Sequence, residues 1–209
     1  MSSFRLPSVQ VSKASVRTLS LSTLSLSALF SAPSFAHVGH HHDSAMNAFL
    51  SGVTHPVTGL DHLVVLIGFG LLVGFVQSKQ PSKPLHLKLI MAALGSLLIG
   101  LVGGRLMGEI AGVETLIIGS LFVVAFGLWN VFSARETLTK CLTLASIALI
   151  FFHGFAHGVE ASGSITQFSI GMLISAFILM QLGRKTSLLL THKWAAIGVA
   201  STSVAISLL

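Results

Sequence analysis

The stretch Leu60-Asp61-His62-Leu63-Val64-Val65-Leu66-Ile67-Gly68-Phe69-Gly70-Leu71-Leu72-Val73-Gly74-Phe75-Val76 decides the fold, because no polar side chain interrupts it after His62. With the segment from Pro56 included it reaches the roughly 20 residues a helix needs to cross a hydrocarbon core. Lipid offers no partner to an open backbone N–H or C=O, so such a segment must be helical. The same pattern recurs along the chain and predicts six spans, at about 56–76 (extendable back to residue 46), 87–107, 113–132, 138–157, 165–182 and 189–208. The expected class is all-α, a polytopic six-helix transmembrane bundle.

Composition supports this reading and removes the others. The chain is 53% apolar and 9% charged, with a mean hydropathy of +0.89, whereas soluble domains carry roughly 25% charge. Disorder is incompatible with that hydrophobicity, and the single cysteine, Cys141, excludes a disulfide scaffold. The formal charge of +6 does not imply nucleic acid, because Arg5, Lys13 and Arg17 crowd into the extreme N-terminus. Those residues make the positive region of a secretory signal, followed by an apolar stretch at 19–30 and the break Pro33-Ser34-Phe35-Ala36. The expected organisation is a cleaved signal peptide at 1–36, an external histidine-rich tail at 37–45 and a six-span domain at 46–209.

Orientation has a second, independent signal. The first, third and fifth connections hold Lys79, Lys83, Lys88, Arg135, Lys140, Arg184, Lys185 and Lys193, whereas the second and fourth hold only Arg105. The positive-inside rule places the odd connections in the cytoplasm and the mature N-terminus outside. Trp129 and Trp194 fall near cytoplasmic span ends, as interface anchors do. Small-residue pairs at Gly70/Gly74, Gly104/Gly108 and Gly154/Gly158 are expected to seat neighbouring helices.

Ten histidines outnumber six acidic residues, a surplus that needs a chemical use. His37, His40, His41 and His42 would open the mature chain, where imidazoles bind divalent transition metals with little selectivity. A first constellation, His55-Pro56-Val57-Thr58-Gly59-Leu60-Asp61-His62, opens span one. Pro56 is expected as the first helical residue, with His55 in a non-helical turn before it. On a continuous helix His62 would lie about 20° from His55 and two turns deeper, with Asp61 a further ligand or the carboxylate that fixes a histidine tautomer. A second constellation, Phe152-His153-Gly154-Phe155-Ala156-His157-Gly158-Val159-Glu160, closes span four. His153, His157 and Glu160 stand at i, i+4 and i+7, within an arc of about 60°. Two imidazoles one turn apart plus a carboxylate suit a transition metal, and Gly154 and Gly158 would leave room beside it. Both clusters fall at external helix ends, so His55, Asp61, His62, His153, His157 and Glu160 are expected to converge on a single periplasm-facing metal site. Ionisable groups at membrane depth cost about 2.5–3.5 kcal/mol each at a helix centre, so they mark ion or proton pathways.

The pair His55-Pro56-x-x-Gly59-x-Asp61-His62 and Phe152-His153-Gly154-x-Ala156-His157-Gly158-x-Glu160 closely resembles the HupE/UreJ family of nickel and cobalt permeases, over essentially the whole mature chain. Leu63-Val64, where many relatives carry Ala-Met, is a departure. The resemblance implies Ni2+ or Co2+ uptake across the bacterial cytoplasmic membrane, with these histidine and acidic positions binding the metal. The ion would be cargo, with no permanently bound cofactor. Expected partners are membrane lipid and a second copy, or a metallochaperone or metalloenzyme-maturation protein, with no nucleic acid.

Other polar residues carry smaller expectations. His86 and His192 read as solvated loop residues, Glu109 and Glu114 as external groups attracting cations, with a helix-start role equally open to Glu114, Asn130 as an interhelical hydrogen bonder in preference to a residue lining an exit path, and Cys141 as a buried small hydrophobe. No Gly-x-x-x-x-Gly-Lys-Ser/Thr loop occurs, so transport would be secondary rather than ATP-driven. Two other readings use the same histidines. An intramembrane zinc hydrolase would activate water on a His/Asp-bound ion, whereas a b-type cytochrome is disfavoured because axial haem ligands must face each other across the ring.

Overall fold

The computed structural model describes residues 45–81, 84–160 and 164–208; the expected signal peptide and the tail histidines His37, His40, His41 and His42 lie outside them. Among the described residues all regular structure is helical, in the order α1 (Ala45–Thr58), α2 (Leu60–Lys79), α3 (Leu85–Met107), α4 (Val113–Asn130), α5 (Glu136–Glu160), α6 (Ile165–Thr186) and α7 (His192–Ser207). Helices α2 to α6 are long and apolar enough to cross a membrane. At 16 residues, α7 is shorter than these five.

Helix α2 touches every other helix, and Val65, Phe69, Leu72 and Val73 along it are fully buried. A helix apolar around its whole circumference belongs in the middle of a bundle. The outer helices show the opposite: Leu98, Ile99, Val102 and Leu106 on α3 and Ile170, Ile174, Ile178 and Leu182 on α6 are exposed. Apolar stripes of that extent have no place in water and fit lipid.

Glycines set the closest crossings. A Cβ on Gly154 or Gly158 would fall on the carbonyl oxygens of Leu97 or Leu101, and one on Gly100 or Gly104 on those of Phe151 or Phe155. These reciprocal contacts advance together along the two helices, so α3 and α5 run parallel with their backbones touching, as small-residue motifs allow. Two expectations change. Gly104 pairs with Gly100 rather than Gly108, which sits at φ 73 and ends α3. Gly154 and Gly158 seat α3 instead of making room beside the histidines.

The first expected span is also corrected. Pro56 lies inside α1, and the break falls at Gly59, which is extended (φ −79, ψ 113). Helical hydrogen bonds run up to the break and away from it, from Gly59 N–H to His55 C=O and from Leu63 N–H to Gly59 C=O. His55 is therefore helical. Ala48, Gly52 and Pro56 make the buried stripe of α1, and α1 packs chiefly on α6.

At the end of the bundle holding Lys79 and Arg135, the Lys79 ammonium donates to the Val131 carbonyl, and Lys193 lies over the Trp129 ring. His192 starts α7 with its ring 4.8 Å from that of Phe132, and His86 lies in α3, its backbone N–H donating to Gln77. Neither is the solvated loop residue expected. The Asn130 side chain donates to Phe126 C=O of its own helix, and the interhelical bond at Asn130 is made by its backbone carbonyl, which accepts from Thr139; Cys141 is exposed, against expectation.

Candidate metal site

Three helix ends meet at the opposite end of the bundle: the C-terminal turn of α1, the first turn of α2 and the last two turns of α5. They bring together the side chains the two motifs singled out. The ligating atoms of His55, His62 and His157 lie within 4.8 Å of one another, and those of Asp61, His62 and His153 meet the same limit. Five of the six residues thus converge, as two overlapping triads sharing His62 rather than as one ring of ligands, and Glu160 belongs to neither.

In the first triad His157 Nε2 faces His62 Nε2 at 2.5 Å. The His55 ring stands 4.1 Å from that of His157 and 5.2 Å from that of His62, centroid to centroid. Behind the facing nitrogens stand carboxylates. Asp61 Oδ1 is 2.9 Å from His62 Nδ1, and Glu160 Oε2 is 3.7 Å from His157 Nδ1. A carboxylate on Nδ1 favours the tautomer that carries its proton there and leaves the Nε2 lone pair free. Two lone pairs directed at one point are satisfied by a shared proton or by a cation, and metal–imidazole bonds of about 2.0–2.1 Å fit the spacing after small ring movements. Phe168 on α6 lies against His55 and His157, at 6.4 and 6.3 Å between ring centroids, and forms an apolar wall.

In the second triad His153 is 1% exposed. Its Nε2 lies 2.8 Å from Ser120 Oγ, and Ser120 donates its own proton to Ile117 C=O at 2.6 Å. A hydroxyl has a single proton, so when Ser120 gives it to Ile117 C=O the hydroxyl accepts from His153 Nε2–H. In that arrangement the lone pair of His153 is on Nδ1, 4.0 Å from Asp61 Oδ2. That buried nitrogen makes no hydrogen bond. Ser120 is a site residue that sequence reasoning missed; a lone serine in an apolar helix carries no signal until its partner 33 positions later is placed beside it.

A cavity of about 770 Å³ opens onto these groups, lined by Asp61, His62, His157 and Glu160, and by Glu109 and Glu114 from the α3–α4 connection and the start of α4. Four of the chain's six acidic residues line this one space. Among the described lysines and arginines only Arg105 belongs to this end. A cleft lined by one sign of charge between low-dielectric walls concentrates counter-ions.

Gly59 has a steric role. A Cβ there would lie 3.1 Å from His62 Nδ1 and 3.3 Å from Asp61 Oδ1, so a methyl at this position would press on the Asp61–His62 pair and shift it by a few tenths of an ångström. Gly59→Ala is expected to weaken metal affinity by about tenfold, the lower range for a disturbed outer partner. Cobalt titration of the purified protein checks this, and an unchanged affinity would show that the pair does not depend on the space.

Among the described residues, wholly helical structure with five membrane-length apolar helices and a cluster of largely buried imidazoles with adjoining carboxylates at one end define a multi-pass membrane protein with a candidate cation site. The chain belongs to the HupE/UreJ family: the family described as "HupE / UreJ protein" matches residues 24–208. Protein HupE of Rhizobium leguminosarum bv. viciae is 30% identical over 154 residues, covering 71% of this chain and 72% of that protein. No solved structure matches.

Proposed function

We propose that the protein is a secondary permease that takes up Ni2+ or Co2+ across the bacterial cytoplasmic membrane, and that α7 completes a six-span bundle with the acidic cavity facing the periplasm. The observation that carries this reading is the meeting of His55 with His62 and His157, the latter two lining a cavity shared with Asp61, Glu109, Glu114 and Glu160. Imidazole ligands suit borderline first-row cations. Lys79, Arg135, Lys140, Arg184, Lys185 and Lys193 lie at the other end of the bundle, which the positive-inside rule assigns to the cytoplasm. The tail residues His37, His40, His41 and His42 of a cleaved chain would then stand outside, collecting the ion. An inside-negative potential of about 100 mV favours inward movement of a divalent cation by about 4.6 kcal/mol, so no nucleotide is required.

The path inward follows α5. Below His153 its buried face carries Ile150, Ser146, Thr143 and Thr139, with Ser146 and Thr143 donating to carbonyls of their own helix and Thr139 to Asn130 C=O. Their oxygens remain acceptors for a passing cation, and Ile150 is the apolar restriction between them and the histidines. The ion is cargo on this reading, and the hydrolase alternative gains no support from the family.

Two results test the proposal. Radiolabelled Ni2+ and Co2+ should compete for accumulation in cells lacking other permeases, and His157→Ala should lose that accumulation while remaining in the membrane; undiminished accumulation would overturn it. Glu109→Gln with Glu114→Gln should raise the half-saturating metal concentration severalfold at low ionic strength and less at high salt, because screening shortens the reach of the cavity's field. A salt-independent change would mean that the glutamates act otherwise.

A further inference from the structure

The overlap of the two triads at His62 has a chemical consequence. In the triad with His55 and His157, His62 contributes Nε2, facing His157. Toward Asp61 and His153 it turns the other side of the ring, with Nδ1 2.9 Å from Asp61 Oδ1, and the His62 and His153 rings stand edge to face at 4.9 Å. His153 lies one helical turn, about 5.4 Å, deeper along α5 than His157. It is not among the residues lining the cavity, whereas His157 is. Its buried Nδ1 stands 4.0 Å from Asp61 Oδ2 and makes no hydrogen bond, and a Ser120 hydroxyl that donates to Ile117 C=O and accepts from Nε2–H leaves the lone pair on that Nδ1. Leaving a buried polar atom unsatisfied costs about 1–3 kcal/mol, and a deprotonated imidazole nitrogen beside a carboxylate is the ligand chemistry of a borderline divalent cation.

We propose a second, inner metal station made of Asp61, His62 Nδ1 and His153 Nδ1, separate from the outer station of His55, His62 Nε2 and His157, with Ser120 as the positioning residue that fixes the His153 tautomer. This rests on the divalent-metal reading above. His62 belongs to both stations, one nitrogen to each, and because its neutral ring has a single lone pair the ring proton passes from Nδ1 to Nε2 as an ion moves around the ring from the outer station to the inner one. Asp61 changes role in that passage: it orients His62 while the outer station is filled and becomes a ligand when the inner one is. His55 serves only the outer station and His153 only the inner.

The test uses purified full-length protein and Co2+ alone, dialysed at one fixed free concentration, with bound metal counted per chain. The histidine tail contributes equally to every variant and cancels in the differences. A neutral His62 ring has one lone pair, so the stations fill in turn: His55→Ala and His153→Ala should each hold as many ions as the wild type, and the double variant one fewer. In the His55→Ala background Ser120→Ala should lose that ion, and Ser120→Thr, which keeps the hydroxyl, should retain it. If either single variant already loses the ion, the two triads are a single station and the proposal is overturned while the metal reading stands. If the double variant loses none, the metal reading fails with it. Full occupancy with Ser120→Ala in the His55→Ala background would show that the serine does not position His153.

Discussion

His62→Ala is expected to reduce nickel and cobalt accumulation to the level of cells without the protein, while the amount in the membrane stays near normal. The substitution removes the imidazole that faces His157 at 2.5 Å and leaves Asp61 without its 2.9 Å partner. No other described residue belongs to both triads. Glu160→Gln gives the contrast: Glu160 is exposed and stands 3.7 Å from His157, so a loss of only a few fold is expected. Uptake of radiolabelled metal, normalised to membrane content, measures both. If His62→Ala kept half of the wild-type accumulation, the site would not be where the ion is held.

The second large effect concerns the scaffold. Gly154→Leu would drive a Cβ into the Leu97 carbonyl, with Leu97 C at 2.9 Å and Leu101 N at 3.0 Å. These are backbone atoms in the most extensive helix pair of the bundle and cannot step aside as a side chain would. Overpacking costs about 1–3 kcal/mol where side chains can adjust, and the cost here is expected at or above the top of that range. The expected result is severe loss of folded, monodisperse protein from detergent extracts. Gly119→Ala on α4 is the control, since its Cβ would have nothing within 4 Å, and exchanging an open helical glycine for alanine gains up to about 1 kcal/mol. Equal yields of the two variants would show that the α3–α5 contact does not limit stability.

The sequence carried the helices and the site through different signals. Unbroken apolar length located α2 to α6, because lipid penalises any other backbone. The i, i+4, i+7 spacing placed His153, His157 and Glu160 on one face of α5. The division of the site did not follow from such angles. It depends on which nitrogen of His62 faces which partner, and on Ser120, whose contact crosses between α4 and α5. Pro56 misled because its favoured place at a helix start hid the alternative, in which it packs within α1 and bare Gly59 makes the break. The glycines between residues 95 and 108 offered several motif pairs, and only register against α5 selects Gly100 with Gly104.

The most direct test of the central claim is metal flux into proteoliposomes containing the purified full-length protein and no other, with an inside-negative potassium diffusion potential imposed. The account predicts potential-dependent uptake of Ni2+ or Co2+ that His157→Ala liposomes lack. Wild-type liposomes that take up no more metal than His157→Ala or empty ones would contradict it.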